Sequence, residues 1–149
     1  MTQVSDTKSD QVLCRPDRTR EVIYYVADGL GEDVQEYIES LPIGIYRGNT
    51  LIGGVLFSSI RPQRDCWLTI YTTTPYWAKR HVLRYIFNIV FNLIKAERCS
   101  VLVSKSNQKS FDMCKRLGFV EEGYLRQYRP NGDDCYVMGM LKKECKWYE

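Results

Sequence analysis

Between Pro42 and Val103 the chain changes period twice, and that change limits what it can fold into. Residues 42–72 are β-rich. Ile43-Gly44-Ile45-Tyr46-Arg47 and Thr50-Leu51-Ile52-Gly53-Gly54-Val55-Leu56-Phe57 flank Gly48-Asn49, a pair that favours a tight hairpin turn. After Arg61-Pro62-Gln63-Arg64-Asp65, the run Cys66-Trp67-Leu68-Thr69-Ile70-Tyr71-Thr72 gives a third strand of an antiparallel meander. From Pro75 to Lys95 the period becomes 3.6. His81, Arg84, Asn88, Asn92 and Lys95 form one polar stripe, and the remaining positions are apolar, so the spacing predicts a deeply buried helix with one wet edge. Thr74 suits its N-cap and Pro75 its first turn. Cys99-Ser100-Val101-Leu102-Val103 then returns to strand character. A strand, a helix and a strand in this order place the two strands parallel through a right-handed crossover.

The flanks extend the pattern. Val12-Leu13-Cys14-Arg15-Pro16 reads as an edge strand stopped by proline. Residues 18–30 carry Val22, Ile23, Val26, Ala27 and Leu30 at helical spacing, with Gly29 and Gly31 as stops, and a second short helical piece is expected over Asp33 to Leu41. Ser106-Asn107 caps a helix that ends at Leu117 before Gly118. Phe119-Val120 and Tyr124-Leu125 begin a strand, Asn131-Gly132-Asp133 turns it, and Cys135 to Leu141 returns. The expected order is β-α-(α)-β-β-β-α-β-α-β-β. It makes an α/β fold with a mixed, mostly antiparallel, twisted sheet and helices on both faces. Residues 1–10 are expected to be flexible, and residues 11–149 to form a single domain.

Composition removes several function classes. Twenty-one Lys and Arg face eighteen Asp and Glu, net +3, a balance too even to argue for duplex binding by charge. No run approaches the roughly 18 apolar residues of a membrane span, and the polar start MTQVSDTKSD is not a secretory signal. The six cysteines lie at irregular spacing without a CxxC pair, and His81 is the single histidine, so the reading is reduced thiols in a cytosol rather than a zinc site. Cytoplasmic localisation follows, or the host cytoplasm or a virion for a phage-encoded chain.

Three stretches resemble the GNAT acyltransferases, which move an acetyl group from acetyl-CoA to an amine. These are Val12-Leu13-Cys14-Arg15-Pro16, then Ser106-Asn107-Gln108-Lys109-Ser110 with Arg116-Leu117-Gly118-Phe119-Val120-Glu121-Glu122-Gly123-Tyr124-Leu125-Arg126, then Asp134 with the apolar run after it. The wording is most similar to the branch that acetylates ribosomal-protein N-termini and to small GNAT-like phage proteins, over about residues 11–142. The resemblance implies acetyl-CoA as cofactor, with Asn107 on its pantetheine arm and Ser110 protonating the leaving thiolate. The acceptor would be an amine, on a protein or a small molecule, and a homodimer is left open. The backbone of Tyr71, Thr72 and Thr73 and the start of the next helix would hold the upper part of the cofactor.

The departure from the family lies at that helix start. Trp77-Ala78-Lys79-Arg80-His81-Val82 has Arg80 and Val82 where glycines are expected to let the backbone approach the pyrophosphate. Lys79 and Arg80 replace that approach by charge, or they are solvated cations and the site is lost. Two helix-start cations without an anion oppose the helix dipole. His81 reads as a member of the solvent stripe. Cys114 stands where many GNATs have a tyrosine and reads as a core residue. No carboxylate stands out as a general base; Asp65 opens the central strand. The alternative function is a catalytically degenerate GNAT-like binding or assembly protein.

Overall fold

A computed structural model describes residues 11–17 and 19–148. The expectation for residues 1–10 falls outside them. Seven strands form one sheet in the order β1-β2-β3-β4-β5-β7-β6. They are β1 (Val12–Pro16), β2 (Leu41–Arg47), β3 (Thr50–Arg61), β4 (Asp65–Thr72), β5 (Arg98–Ser104), β6 (Val120–Leu125) and β7 (Cys135–Leu141). The helices are α1 (Glu21–Leu30), α2 (Arg80–Asn88) and α3 (Gln108–Leu117). The predicted mixed, mostly antiparallel α/β architecture is the observed one. The chain divides into two compact units, residues 1–58 with 69–86 and residues 59–68 with 87–149. β3, β4 and α2 pass from one to the other.

In the first unit β1 is an edge strand, antiparallel to β2 from Val12↔Arg47 to Pro16↔Ile43. The Gly48-Asn49 turn joins β2 to β3, with Gly48 at φ 62. A bulge at Ile45/Tyr46 shifts the β2–β3 register. Helix α1 buries Val22, Ile23 and Val26 together with Leu56. It can lie close because Gly54 carries no side chain there: a Cβ on Gly54 would sit 2.6 Å from both Val22 Cγ1 and Val26 Cγ2.

The helix boundaries differ from the sequence expectation for local reasons. Thr19 and Arg20 lie outside α1, and Arg20 adopts φ 69. The capping acid is Asp17, whose Oδ2 accepts the Val22 N–H at 2.8 Å. The expected piece over Asp33–Leu41 is a single 3-10 turn, Val34–Tyr37, and Leu41 already belongs to β2. The continuous helix expected from Pro75 to Lys95 is three elements. Thr74 caps a 3-10 turn, Pro75–Trp77, then α2 follows, and residues Ile89–Leu93 widen into a π-turn. Leu93 is 71% exposed, so the apolar side of this segment is not wholly buried.

In the second unit β5 runs parallel to β4 from Asp65↔Arg98 to Leu68↔Val101, as the crossover requires, and antiparallel to β7. β6 pairs with β7 and forms the other edge of the sheet. Phe91 packs 5.2 Å from the Tyr148 ring, and Phe87 packs 6.2 Å from that of Phe119. Cys66, Cys99, Cys114 and Cys135 are buried here as small core residues. Burial pushes the thiols of Cys66 and Cys114 up to about 12, so both stay neutral at pH 7.

Candidate functional site

The residues singled out in the sequence fall on two strand-to-helix corners, one in each unit. The first corner follows β4. The Tyr71 ring packs edge-on against Tyr25 of α1, with centroids 5.6 Å apart, and fills the space over Gly29. Its side chain is therefore part of the α1 core, and only its backbone remains for a ligand. The Thr73 N–H donates to the Ile52 carbonyl at 2.9 Å, and its hydroxyl donates to the same oxygen at 3.2 Å. Since N–H directions alternate along an antiparallel strand, the Thr72 N–H turns away from β3. The β5 ladder stops at Leu68, four residues earlier. Of the three, Thr72 is the one whose geometry suits a backbone donor.

Lys79 ends the connection that follows. Its carbonyl accepts from the Val82 and Leu83 N–H groups, which makes it the cap position of α2. Its ammonium lies 5.8 Å from the Tyr76 ring centre, and no acid occupies the first turn of α2. Arg80 is exposed as the first helical residue. Val82, one of the two residues standing where a glycine was expected, is fully buried, so its side chain belongs to the core and not to the solvent side of the helix start. Trp77 is 2% exposed and anchors the preceding turn. The His81 ring donates through Nε2 to the Val12 carbonyl, so it ties the helix start to β1 rather than acting as a plain stripe residue.

The second corner follows β5. Asn107 caps α3: its Oδ1 accepts the Ser110 N–H at 3.2 Å, and Gly118 ends the helix at φ 116. With Oδ1 used in the cap, the Asn107 Nδ2 group remains as the donor side of the amide. Ser110 is half-buried, one helical turn before Cys114. Cys114 itself is 3% exposed and packs in the core, as the sequence implied. Asp65 is engaged: both its oxygens accept from the Ser100 hydroxyl, at 3.0 and 3.2 Å, and Arg98 Nε lies 3.7 Å away. Arg98 also holds Glu122.

Sequence reasoning placed the turn at Asn131-Gly132-Asp133 but missed the bonds this β6–β7 loop makes to the start of α3. Asp133 Oδ2 accepts from the Ser106 N–H and hydroxyl, at 3.2 and 2.7 Å. Asp134 accepts from the Tyr124 hydroxyl and, at 2.7 Å, from the Gln127 N–H. These bonds to the ionised form hold both carboxyls below the usual carboxylate range. The loop's open side is a groove lined by Tyr124, Leu125, Arg126, Gln127, Tyr128 and Asp134. Among the described residues, no group of three His, Cys, Asp or Glu is placed to hold a metal ion, and no helix is long and apolar enough to cross a membrane.

No protein-family model and no curated protein matches the chain. Solved structures do match. A point mutant of the spermidine N-acetyltransferase SpeG from Vibrio cholerae is similar at TM-score 0.69 and 18% identity, over 89% of this chain and 95% of that one. The dodecameric form of the Vibrio cholerae spermidine N-acetyltransferase in an intermediate state gives 0.68 and 19%, over 89% and 95%. A crystal structure assigned as an acetyltransferase, with no substrate stated, gives 0.70 and 19%, over 89% and 84%. At such identities the likeness is one of fold, and with the strand order and parallel β4–β5 pair above it leads to one conclusion: this chain has the acyl-CoA N-acyltransferase (GNAT) fold.

Proposed function

We propose that this chain is an N-acetyltransferase of the GNAT family that moves an acetyl group from acetyl-CoA to a primary amine by direct attack, with residues 11–149 acting as one domain. The observation that supports it most is the start of α3. There the cap bond of Asn107 aims a free amide outward, three residues before a half-buried hydroxyl, within the motif spacing of the family.

Acetyl-CoA supplies the acetyl group as a thioester. The neutral amine forms the C–N bond to the carbonyl carbon, the C–S bond breaks, the amine's surplus proton leaves to water, and the thiolate is protonated. Asn107 holds the pantetheine arm, which makes the reaction nearly unimolecular. Ser110 presents its O–H to the departing sulfur and is reprotonated from solvent. The Thr72 N–H serves as a backbone donor beside Tyr71 and Thr73. Lys79 and Arg80 hold the pyrophosphate by charge, beside helix N–H groups that favour an anion. The buried side chain of Val82 leaves that approach open.

The local likeness of Asn107–Ser110 and Leu117–Arg126 to the ribosomal-protein branch favours a protein N-terminus as acceptor, with lysine or a small amine as alternatives, in the cytoplasm. One observation favours a second reading, a GNAT-fold binding or assembly protein without catalysis: Asp65, the acid of the central strand, is occupied by Ser100 and Arg98. The test is release of CoA thiol from acetyl-CoA in the presence of N-terminal peptides, lysine peptides and spermidine. Release above hydrolysis with one of them, lost in Ser110→Ala without a change in acetyl-CoA affinity, supports the enzyme. No release from a protein that binds acetyl-CoA selects the second reading.

A further inference from the structure

Three consecutive residues lead from β5 into the α3 cap, and each is bonded to the β6–β7 loop. The Ser104 hydroxyl accepts from Arg129 Nε at 3.0 Å, the Lys105 N–H donates to the Asp134 carbonyl at 2.8 Å, and Ser106 gives both its N–H and its hydroxyl to Asp133 Oδ2. The loop is also bonded within itself. The Asp133 N–H donates to Asn131 Oδ1 at 2.9 Å, the Arg129 N–H to the Asp133 carbonyl at 3.0 Å, and Gly132 turns the chain at φ 88. Asn107, next in line, has φ −99 and ψ 69, away from the extended conformation usual for an N-cap. A cap residue in an unusual conformation needs its neighbours to hold it there. Those neighbours are held by the loop.

We propose that residues 126–134 are a clasp, and that Asp133 is a positioning residue: through Ser106 it sets the backbone of Asn107, and with it the direction of the amide that takes the acyl-CoA arm. This deepens the acetyltransferase reading and rests on it for the ligand, but not for the clasp itself. A side chain that touches no cofactor thereby controls cofactor affinity, because a small misplacement of a binding group is costly even when its cause is remote.

The experiment compares the full chain with Asp133→Ala, Asp133→Asn, Asn107→Ala and the Asp133→Ala/Asn107→Ala double variant. Asp133→Ala should weaken acetyl-CoA binding about tenfold, the scale seen when an outer-shell partner is lost, with kcat at saturation nearly unchanged. Asp133→Asn keeps one acceptor oxygen for Ser106 but sets an NH2 against the Asp134 N–H, so it should recover only part of the affinity. The double variant should bind no more weakly than Asn107→Ala alone, since both changes remove the same contact. A merely structural Asp133 would give full additivity, and that result overturns the proposal. Amide hydrogen exchange gives a readout without ligand: Asp133→Ala should speed exchange at Ser106 and at Ser110. If the Ser110 amide is as protected as in the parent, the clasp does not control the cap and the proposal falls. If exchange responds but the parent binds no acetyl-CoA, the clasp stands and the acetyltransferase reading is what fails.

Discussion

At the β5–α3 corner three residues, 105–107, separate strand from helix, and polar bonds to the β6–β7 loop and the Asn107 side chain hold every one of them or its neighbour. At the β4–α2 corner seven residues, 73–79, make the same connection, with a 3-10 turn anchored by the buried Trp77 and a cap position, Lys79, that is a cation. Both corners present helix N–H groups. The first carries the wording that resembles the family and is held by directed hydrogen bonds. The second has Arg80 and Val82 where the resemblance leads one to expect glycines, and offers charge instead. The difference teaches that, on the acetyltransferase reading, the arm would meet fixed amide geometry at the first corner and the diphosphate a positive charge at the second.

That contrast can be broken in several ways. The largest effect is expected at Trp77. Trp77→Ala should cost about 3–5 kcal/mol of stability, the range for truncating a buried aromatic, measured by denaturant unfolding. A loss near 1 kcal/mol would mean that the β4–α2 corner is not held by burial. Next is Asn107→Ala, which removes a cap worth about 1 kcal/mol and should weaken acetyl-CoA binding about tenfold, the scale of one good hydrogen bond. Calorimetric titration reads the affinity, and an unchanged value would separate the cap role from the ligand role. The paired change Lys79→Ala/Arg80→Ala should weaken acetyl-CoA binding about fivefold at low salt and less at high salt, because charge held in solvent is screened. Equal loss at both salt concentrations would contradict recognition by charge. The smallest effect concerns Tyr25, whose hydroxyl is buried without a hydrogen-bond partner among the described residues. Tyr25→Phe should be neutral or raise stability by about 1 kcal/mol, since an unsatisfied buried hydroxyl is costly. A loss of stability would show that the hydroxyl is bonded after all.

The sequence made much of this legible because its signals were local. Gly48-Asn49, the Asn107 cap and the Gly118 stop each depend on the conformation of a few adjacent residues, and each is where the pattern put it. The parallel β4–β5 pair followed from chain connectivity alone. What was illegible depends on distant partners. Asp17 caps α1 from five residues before the N–H it takes, because Arg20 turns left-handed. The break of the Pro75–Lys95 segment at Ala78 and Lys79 leaves no mark in a pattern that is apolar on most sides, and such a pattern equally hides the π-turn at Ile89–Leu93. His81 sits in a polar stripe but bonds a carbonyl 69 residues away. Of the candidate site, Asn107 and Ser110 were readable as cap and first-turn residues. Asp133 was read only as a turn residue, because its partner Ser106 lies 27 residues earlier.

Acetyl-CoA binding to the full chain, followed by the shift of the melting temperature with concentration, tests the central claim most directly. A ligand that binds only the folded state at about 100 times its Kd adds about 2.7 kcal/mol. The account predicts a dose-dependent rise, smaller in Asn107→Ala. A folded chain whose melting temperature stays fixed up to millimolar acetyl-CoA would contradict it, and would leave a GNAT fold that no longer serves its cofactor.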